Sequence, residues 1–324
     1  MMPTSTRTRS RRASLRWRAA APAAALLCAL AAAAGASEPK SSNGFDLTNS
    51  LVPTDEILRG GPPRDGIPAL DFPPFVAAEA GPWRDDDWVV GVAAGSVARA
   101  YPLAILVWHE LVNDRLGGRP LLVSYCPLCG TALVFDRRVD GAERRFGVSG
   151  LLYRSDLLMF DRESESLWSQ ISAHALTGPA RSRRLTLVRS RLAHWGDWRR
   201  THPETTVLSR ETGHARRYGR TPYAGYATSE QLMFPAPHDR RYHPKMRTLG
   251  LRLPDGRARG YPLVELERAG GRVAESPFGK PVVVRLDSES QAFEVDAPEP
   301  IEVIEGFWFA WVAFHPEATV FVAE

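Results

Sequence analysis

From Trp88 onward, short apolar runs alternate with turn residues, a pattern of many short strands rather than long helices. Val89-Val90-Gly91-Val92 and residues 98–103 predict a hairpin around Gly95, followed by a short helix to about His109. Leu121-Leu122-Val123 leads into Tyr125-Cys126-Pro127-Leu128-Cys129-Gly130, and Ala132-Leu133-Val134-Phe135 leads out. Two cysteines are therefore expected in a tight turn between two strands. A thioredoxin-type pair would instead open a helix, where its first thiol is activated, and no helical period follows here. Residues 147–150 predict a turn or bulge at the mouth of a strand. Leu157-Leu158-Met159-Phe160 predicts a short buried strand, with Asp161 and Arg162 after it as an ion pair. Residues 37–85, punctuated by Gly60-Gly61-Pro62-Pro63 and Pro73-Pro74, predict an extended arm laid over the core with little regular structure.

The pattern then recurs. Gly95 to Leu103 (GSVARAYPL) is echoed by Gly256 to Leu263 (GRARGYPL), and Gly118-Arg119-Pro120-Leu121 by Gly279-Lys280-Pro281-Val282. Trp195-x-x-Trp198-x-x-x-His202-Pro203-Glu204 is matched by Trp308-x-x-Trp311-x-x-x-His315-Pro316-Glu317. The expected fold is α+β and β-rich, with two related β-rich units from an internal duplication, the second degenerate and smaller. The units span residues 86–210 and 248–324, with a polar linker over 211–247. Features present in both copies are architectural, so His202 and His315 are expected to cap helices or to sit satisfied in the core. Features of the first copy alone are candidates for chemistry. Both thiols fall opposite residues 286–289, and Trp108-His109-Glu110 falls opposite Arg268-Ala269-Gly270. The first copy also carries an insertion, with 59 residues from Asp136 to Trp195 against 12 from Asp296 to Trp308.

Charge changes the picture at the N-terminus. Six arginines and no acid precede an Ala/Leu-rich run that ends in Ala34-Gly35-Ala36, the form of a cleaved secretory signal over residues 1–36. Arg11-Arg12 suggests the twin-arginine route, and an exported, periplasmic or extracellular protein is expected, cut near Ala36. Cys28 lacks a convincing lipobox. Without the leader, Lys+Arg falls from 41 to 35 against 37 Asp+Glu, and the net charge goes from +4 to −2. The basic balance belongs to the leader, so nucleic acid is not an expected partner. No membrane span is expected in the mature chain. Its two cysteines, Cys126 and Cys129, are too few for a disulfide scaffold.

A Cys-x-x-Cys-Gly turn has the shape of a metal knuckle, because a residue without Cβ lets the backbone curl beneath two thiolates. No second pair completes a structural zinc or iron–sulfur site. The expected ligands are Cys126, Cys129 and His109, with Met159 or His174 as a possible fourth. A thiolate-rich set suits zinc or copper better than magnesium or calcium. Met159 also reads as a core methionine filling a gap. Glu110, Ser149, Tyr153, Ser155, Asp156, Trp168 and Gln170 are pocket candidates, polar or amphipathic residues among apolar neighbours.

Four motifs carry a resemblance: Tyr125-Cys126-Pro127-Leu128-Cys129-Gly130-Thr131; His109-Glu110 with Asn113-Asp114; residues 147–153; and Ser166-Leu167-Trp168-Ser169-Gln170. In this order they resemble the bacterial family called domain of unknown function 3179, from about Asp65 to Thr212. The family name implies no activity. Three readings follow from the residues: an exported metal-binding protein, a metalloenzyme or metal carrier acting on a small molecule or metal; a periplasmic thiol–disulfide or Cys-nucleophile enzyme; and a ligand- or partner-binding module with a structural disulfide. Phosphate-loop, HExxH and GxSxG motifs are absent, which disfavours nucleotide hydrolysis, zincin proteolysis and serine esterase chemistry.

Overall fold

Gly95, at φ +62°, closes the first hairpin, pairing Trp88–Ala94 with Val97–Pro102. Pro102 then presets the chain for the helix Leu103–His109, which buries Ile105, Leu106 and His109. The computed structural model describes residues 40–324. The expected leader, its cleavage site and Cys28 therefore lie outside the described residues. Among the described residues no helix is long and apolar enough to cross a membrane.

The chain is β-rich with few helices, and five sheets of three to five strands take a propeller-like arrangement. One sheet runs Arg191–His194, Trp88–Ala94, Val97–Pro102, Thr206–Leu208, Phe75–Ala77, and only the pair Val97–Pro102 with Thr206–Leu208 is parallel. Another runs Glu302–Phe307, Arg247–Arg252, Ala258–Pro262, Thr319–Val320, again with one parallel pair, Ala258–Pro262 with Thr319–Val320. Each is followed by an antiparallel meander. The first is Leu111–Leu116, Arg119–Cys126, Thr131–Asp136; the second is Arg272–Glu275, Val282–Leu286, Phe293–Asp296. The fifth sheet, Leu167–Ser169, Asp156–Asp161, Phe146–Tyr153, Ile57–Arg59, comes mostly from the long insertion.

Local contacts recur with the sequence echo. Arg99 and the Tyr101 hydroxyl both donate to Asp114, and Arg259 and the Tyr261 hydroxyl both donate to Glu275. His202 caps the helix Trp195–Thr201 and stacks on Trp198 with ring centroids 3.9 Å apart; His315 caps Trp308–Phe314 and lies 4.2 Å from Trp311. Each helix buries both of its tryptophans because residues three apart share a helix face.

Two segments differ from the sequence expectation in detail. Residues 57–59, 70–71 and 75–77 of the arm are strands, each pairing into a different sheet. Asp161 and Arg162 do not pair with each other. Arg162 binds Asp65 at 2.8 Å, and Asp161 accepts from the Trp168 indole and from Ser164, both at a distance of 2.8 Å or less. Side chains of successive strand residues point to opposite faces, which separates the two.

Candidate metal centre

The register places Thr131 opposite Cys126, so residues 127–130 form the turn and Gly130 takes φ +61°. Both thiols are free and buried, at 1% and 0% exposure. The Cys129 carbonyl accepts from the Phe307 amide at 2.7 Å, tying the knuckle to the strand Glu302–Phe307. A Cβ on Gly130 would come within 2.9 Å of the Phe307 ring, so that position needs glycine both for its backbone and for its neighbour.

A second hairpin faces the knuckle. Phe146–Tyr153 and Asp156–Asp161 join through Arg154 and Ser155, at φ 52° and 68°. Two-residue hairpin turns need such angles, and Asn-Gly is the residue pair that adopts them readily. Here the turn delivers the Ser155 carbonyl oxygen to the sulfurs, 3.9 Å from Cys126 Sγ and 3.4 Å from Cys129 Sγ. It also delivers the next side chain. The Asp156 carboxylate and the two sulfurs have donor atoms all within 4.8 Å of one another. Asp156 Oδ2 accepts from the Ile171 amide at 3.0 Å and the Ser169 hydroxyl at 3.3 Å, whereas Oδ1 is shielded from solvent and has no hydrogen-bond partner.

Glu110 adds a second buried carboxyl near Asp156. It ends the first helix at φ 58°, where the second half has Gly270 at φ 73°. A glycine would make that turn without strain, and a carboxyl is retained instead. Burial, then the nearby Asp156, raises Glu110 to about 8; burial raises Asp156 to about 7. Burial, followed by the hydrogen bond to Cys126 and the proximity of Cys126 and Asp156, pushes the Cys129 thiol well up. Neither carboxyl makes an ion pair among the described residues. Four groups that can be anionic thus lie in apolar surroundings without a positive charge to answer them, and burial favours the neutral form of Glu110, Asp156 and Cys129.

This arrangement fixes the sign of a pH response. Both carboxyls are raised in the folded, metal-free chain relative to the unfolded one, so the folded state holds extra protons between about pH 4 and 8. Their contribution to stability is full below the unfolded values and is lost as pH rises through about 7 and 8. The urea midpoint of metal-free protein is expected to fall between about pH 5 and 8. Glu110→Gln should flatten that slope; an unchanged slope would mean that Glu110 is not the group responsible.

The remaining candidates scatter. His109 is buried, but its Nδ1 lies 2.8 Å from the Pro68 carbonyl and its Nε2 2.8 Å from the Tyr218 hydroxyl, and it is not one of the clustered donors. Burial lowers it to about 4. The structure thus gathers the thiols with Asp156 and not with His109. Met159 sits fully buried in the same apolar core as the thiols, paired across strands with Trp168. His174 makes its Nδ1 contact with the Ser172 carbonyl and is influenced by Arg184, Arg252 and Glu302, none of them a thiol neighbour. Ser149 donates to the Leu158 carbonyl, Tyr153 packs on Phe314, and the Trp168 indole donates to Asp161. Gln170 donates to Ser124 and to the Thr131 carbonyl beside the knuckle, and its Oε1 is buried without a partner.

Sequence reasoning missed the tyrosines. Burial pushes Tyr125, Tyr223 and Tyr226 upward; the next cause is a thiol sulfur for Tyr125 and Tyr226, and Glu110 followed by Cys126 for Tyr223, so all three lie near the acids of the site. Two of them lie in residues 211–247, as does Phe234, whose carbonyl takes the Ser155 hydroxyl at 2.9 Å. Lys245 packs 4.2 Å from the Tyr226 ring centroid and donates to the Ser229 and Gln231 carbonyls, tying the end of this segment to its middle. The signal was legible: a solvated linker has little use for Tyr218, Tyr223, Tyr226, Leu232 and Phe234.

Fold and site together define a β-rich, propeller-like protein with a buried Cys-Cys-Asp cluster. The chain belongs to the family described as protein of unknown function (DUF3179), whose model matches residues 64–298. No curated protein and no solved structure matches it.

Proposed function

We propose that this chain is an exported metal-binding protein in which Cys126, Cys129 and Asp156 hold one zinc ion. The carrying observation is Asp156 Oδ1, a fully buried carboxylate oxygen without a partner, in a carboxylate grouped with two sulfurs. A divalent cation would supply the charge that the four acids lack and would draw both sulfurs to thiolates. With a carboxylate as third donor rather than a thioether, zinc fits better than copper(I). The fourth position falls to the Ser155 carbonyl, Glu110 or a water. The leader over residues 1–36 belongs to this reading, since the twin-arginine route exports folded, loaded proteins. So does descent from a duplicated β-rich unit, with 86–210 keeping the site, 248–324 lacking it and 211–247 covering it.

A thiol–disulfide enzyme is less well supported. Attack requires an exposed thiolate, and both sulfurs are buried with Cys129 pushed up rather than down. Elemental analysis of the full chain made without chelator tests the proposal: about one zinc per chain is expected. Metal-free protein that takes up neither zinc nor copper on titration would sink it.

His109→Ala separates the two ligand sets. It is expected to keep the metal and to lose about 1–3 kcal/mol of stability, because the Pro68 carbonyl and Tyr218 hydroxyl lose their buried partner. Loss of metal at unchanged stability would restore His109 as a ligand.

A further inference from the structure

A cavity of about 100 Å³ lies against the knuckle, with Leu128 of the turn and Leu157, the neighbour of Asp156, in its lining. Most of the remaining wall is apolar, Val148, Leu152 and Phe234 included. Two polar side chains belong to the lining as well, Glu110 and Tyr223. Glu110 is 7% exposed, and its carboxyl makes no hydrogen bond or ion pair among the described residues. Unlike Asp156 Oδ1, its oxygens are not closed off from solvent.

A buried carboxyl without a hydrogen bond is unfavourable unless something outside the chain supplies the partner. The thiol cluster does not, since Glu110 is not one of its grouped donors. The half-buried Tyr223 also has no partner for its hydroxyl among the described residues, and it stands near enough to Glu110 for that carboxylate to push it upward. Water alone suits such a cavity poorly, because an ordered water takes about two to four polar partners and most of this wall offers none. Where the lining reaches the surface, Met233 is 57% exposed, an adaptable apolar side chain at the point of entry.

We propose that this cavity binds a small neutral molecule, its hydrogen-bond-donating end held by Glu110 and Tyr223 and its aliphatic body by Leu128, Val148, Leu152 and Leu157. A cavity of about 150 Å³ takes benzene, so this one admits molecules of roughly four to six non-hydrogen atoms. The neighbouring acids disfavour an anion, and a buried cation would need more acceptors than one carboxyl and one hydroxyl provide. An occupant would touch Leu128, between the two cysteines. The proposal does not depend on a metal at the knuckle, and with Glu110 engaged here the fourth metal position falls to the Ser155 carbonyl or a water.

Ligand-observed NMR titration of the full chain with n-butanol, propanamide, butylammonium and propionate, four molecules of equal size, tests it. Saturable binding of a neutral probe is expected at about millimolar concentration, which is what so few atoms can supply. It should be at least about tenfold tighter than binding of propionate or butylammonium. Glu110→Leu should weaken it about tenfold or more, and Tyr223→Phe about threefold or more. Tyr223→Phe removes only an unbonded hydroxyl and should fold as wild type, with circular dichroism as the check on both variants. Chelator-treated and untreated chains should bind n-butanol alike, so a failure to take up zinc would leave this result standing. No saturable binding of either neutral probe, tighter binding of butylammonium, or wild-type affinity in both variants would overturn the proposal.

Discussion

Cys126→Ser, Cys129→Ser and Asp156→Asn are each expected to leave a folded chain that has lost most of its metal. Structural zinc sites bind with about 10–16 kcal/mol shared among four ligands, so one protein ligand carries about 3 kcal/mol, on the order of a hundredfold in affinity. Asp156→Asn is the most telling of the three. It keeps the shape of the side chain and removes only the charge, and an amide there can still accept from the Ile171 amide and the Ser169 hydroxyl. Its metal-free form should be as stable as wild type or more so at pH 8, since the buried carboxylate is gone. Competition with a chromogenic zinc chelator measures the affinity, and urea titration of both forms measures the fold. Wild-type affinity in Asp156→Asn would mean that the carboxylate is not a ligand, whatever its distance to the sulfurs.

The second large effect is on stability and concerns the packing of strand glycines against helix tryptophans. Gly250→Ala should cost about 3 kcal/mol or more, because the new Cβ would stand 2.0 Å from the Trp311 ring, and Trp311 is 4% exposed with nowhere to move. Gly91→Ala meets Trp198 at 2.3 Å and should behave alike. Gly219 is the control. A Cβ there meets nothing within 4 Å, so Gly219→Ala should be neutral or stabilise by a few tenths of a kcal/mol through the unfolded chain. Chemical denaturation midpoints decide it. Near-wild-type midpoints in both clashing variants would show that the strand–tryptophan packing yields easily.

Much of the site's frame was readable along the chain. The strand–knuckle–strand around Cys126 and Cys129, the hairpin at Gly95 and the capped tryptophan helices all rest on contacts between near neighbours. The choice of the third donor was not readable in that way. His109 looked apt because the sequence echo lacks it at residues 268–270, just as it lacks the thiols at 286–289. Its helix, however, buries it toward Pro68 and Tyr218, a contact made by residues 41 and 109 positions away. Asp156 was in view as a polar residue among apolar neighbours, but nothing local distinguished it from Ser149 or Tyr153.

By itself, then, the amino-acid order determined the β-rich character, the turn that holds the two sulfurs and the family, because periodicity and turn chemistry act over a few residues. Which carboxylate meets those sulfurs was decided by tertiary structure alone. Strand pairing and sheet packing bring residue 156 to the knuckle and fold residues 211–247 across it. Such long-range pairings are selected by burial of whole surfaces rather than by any local preference.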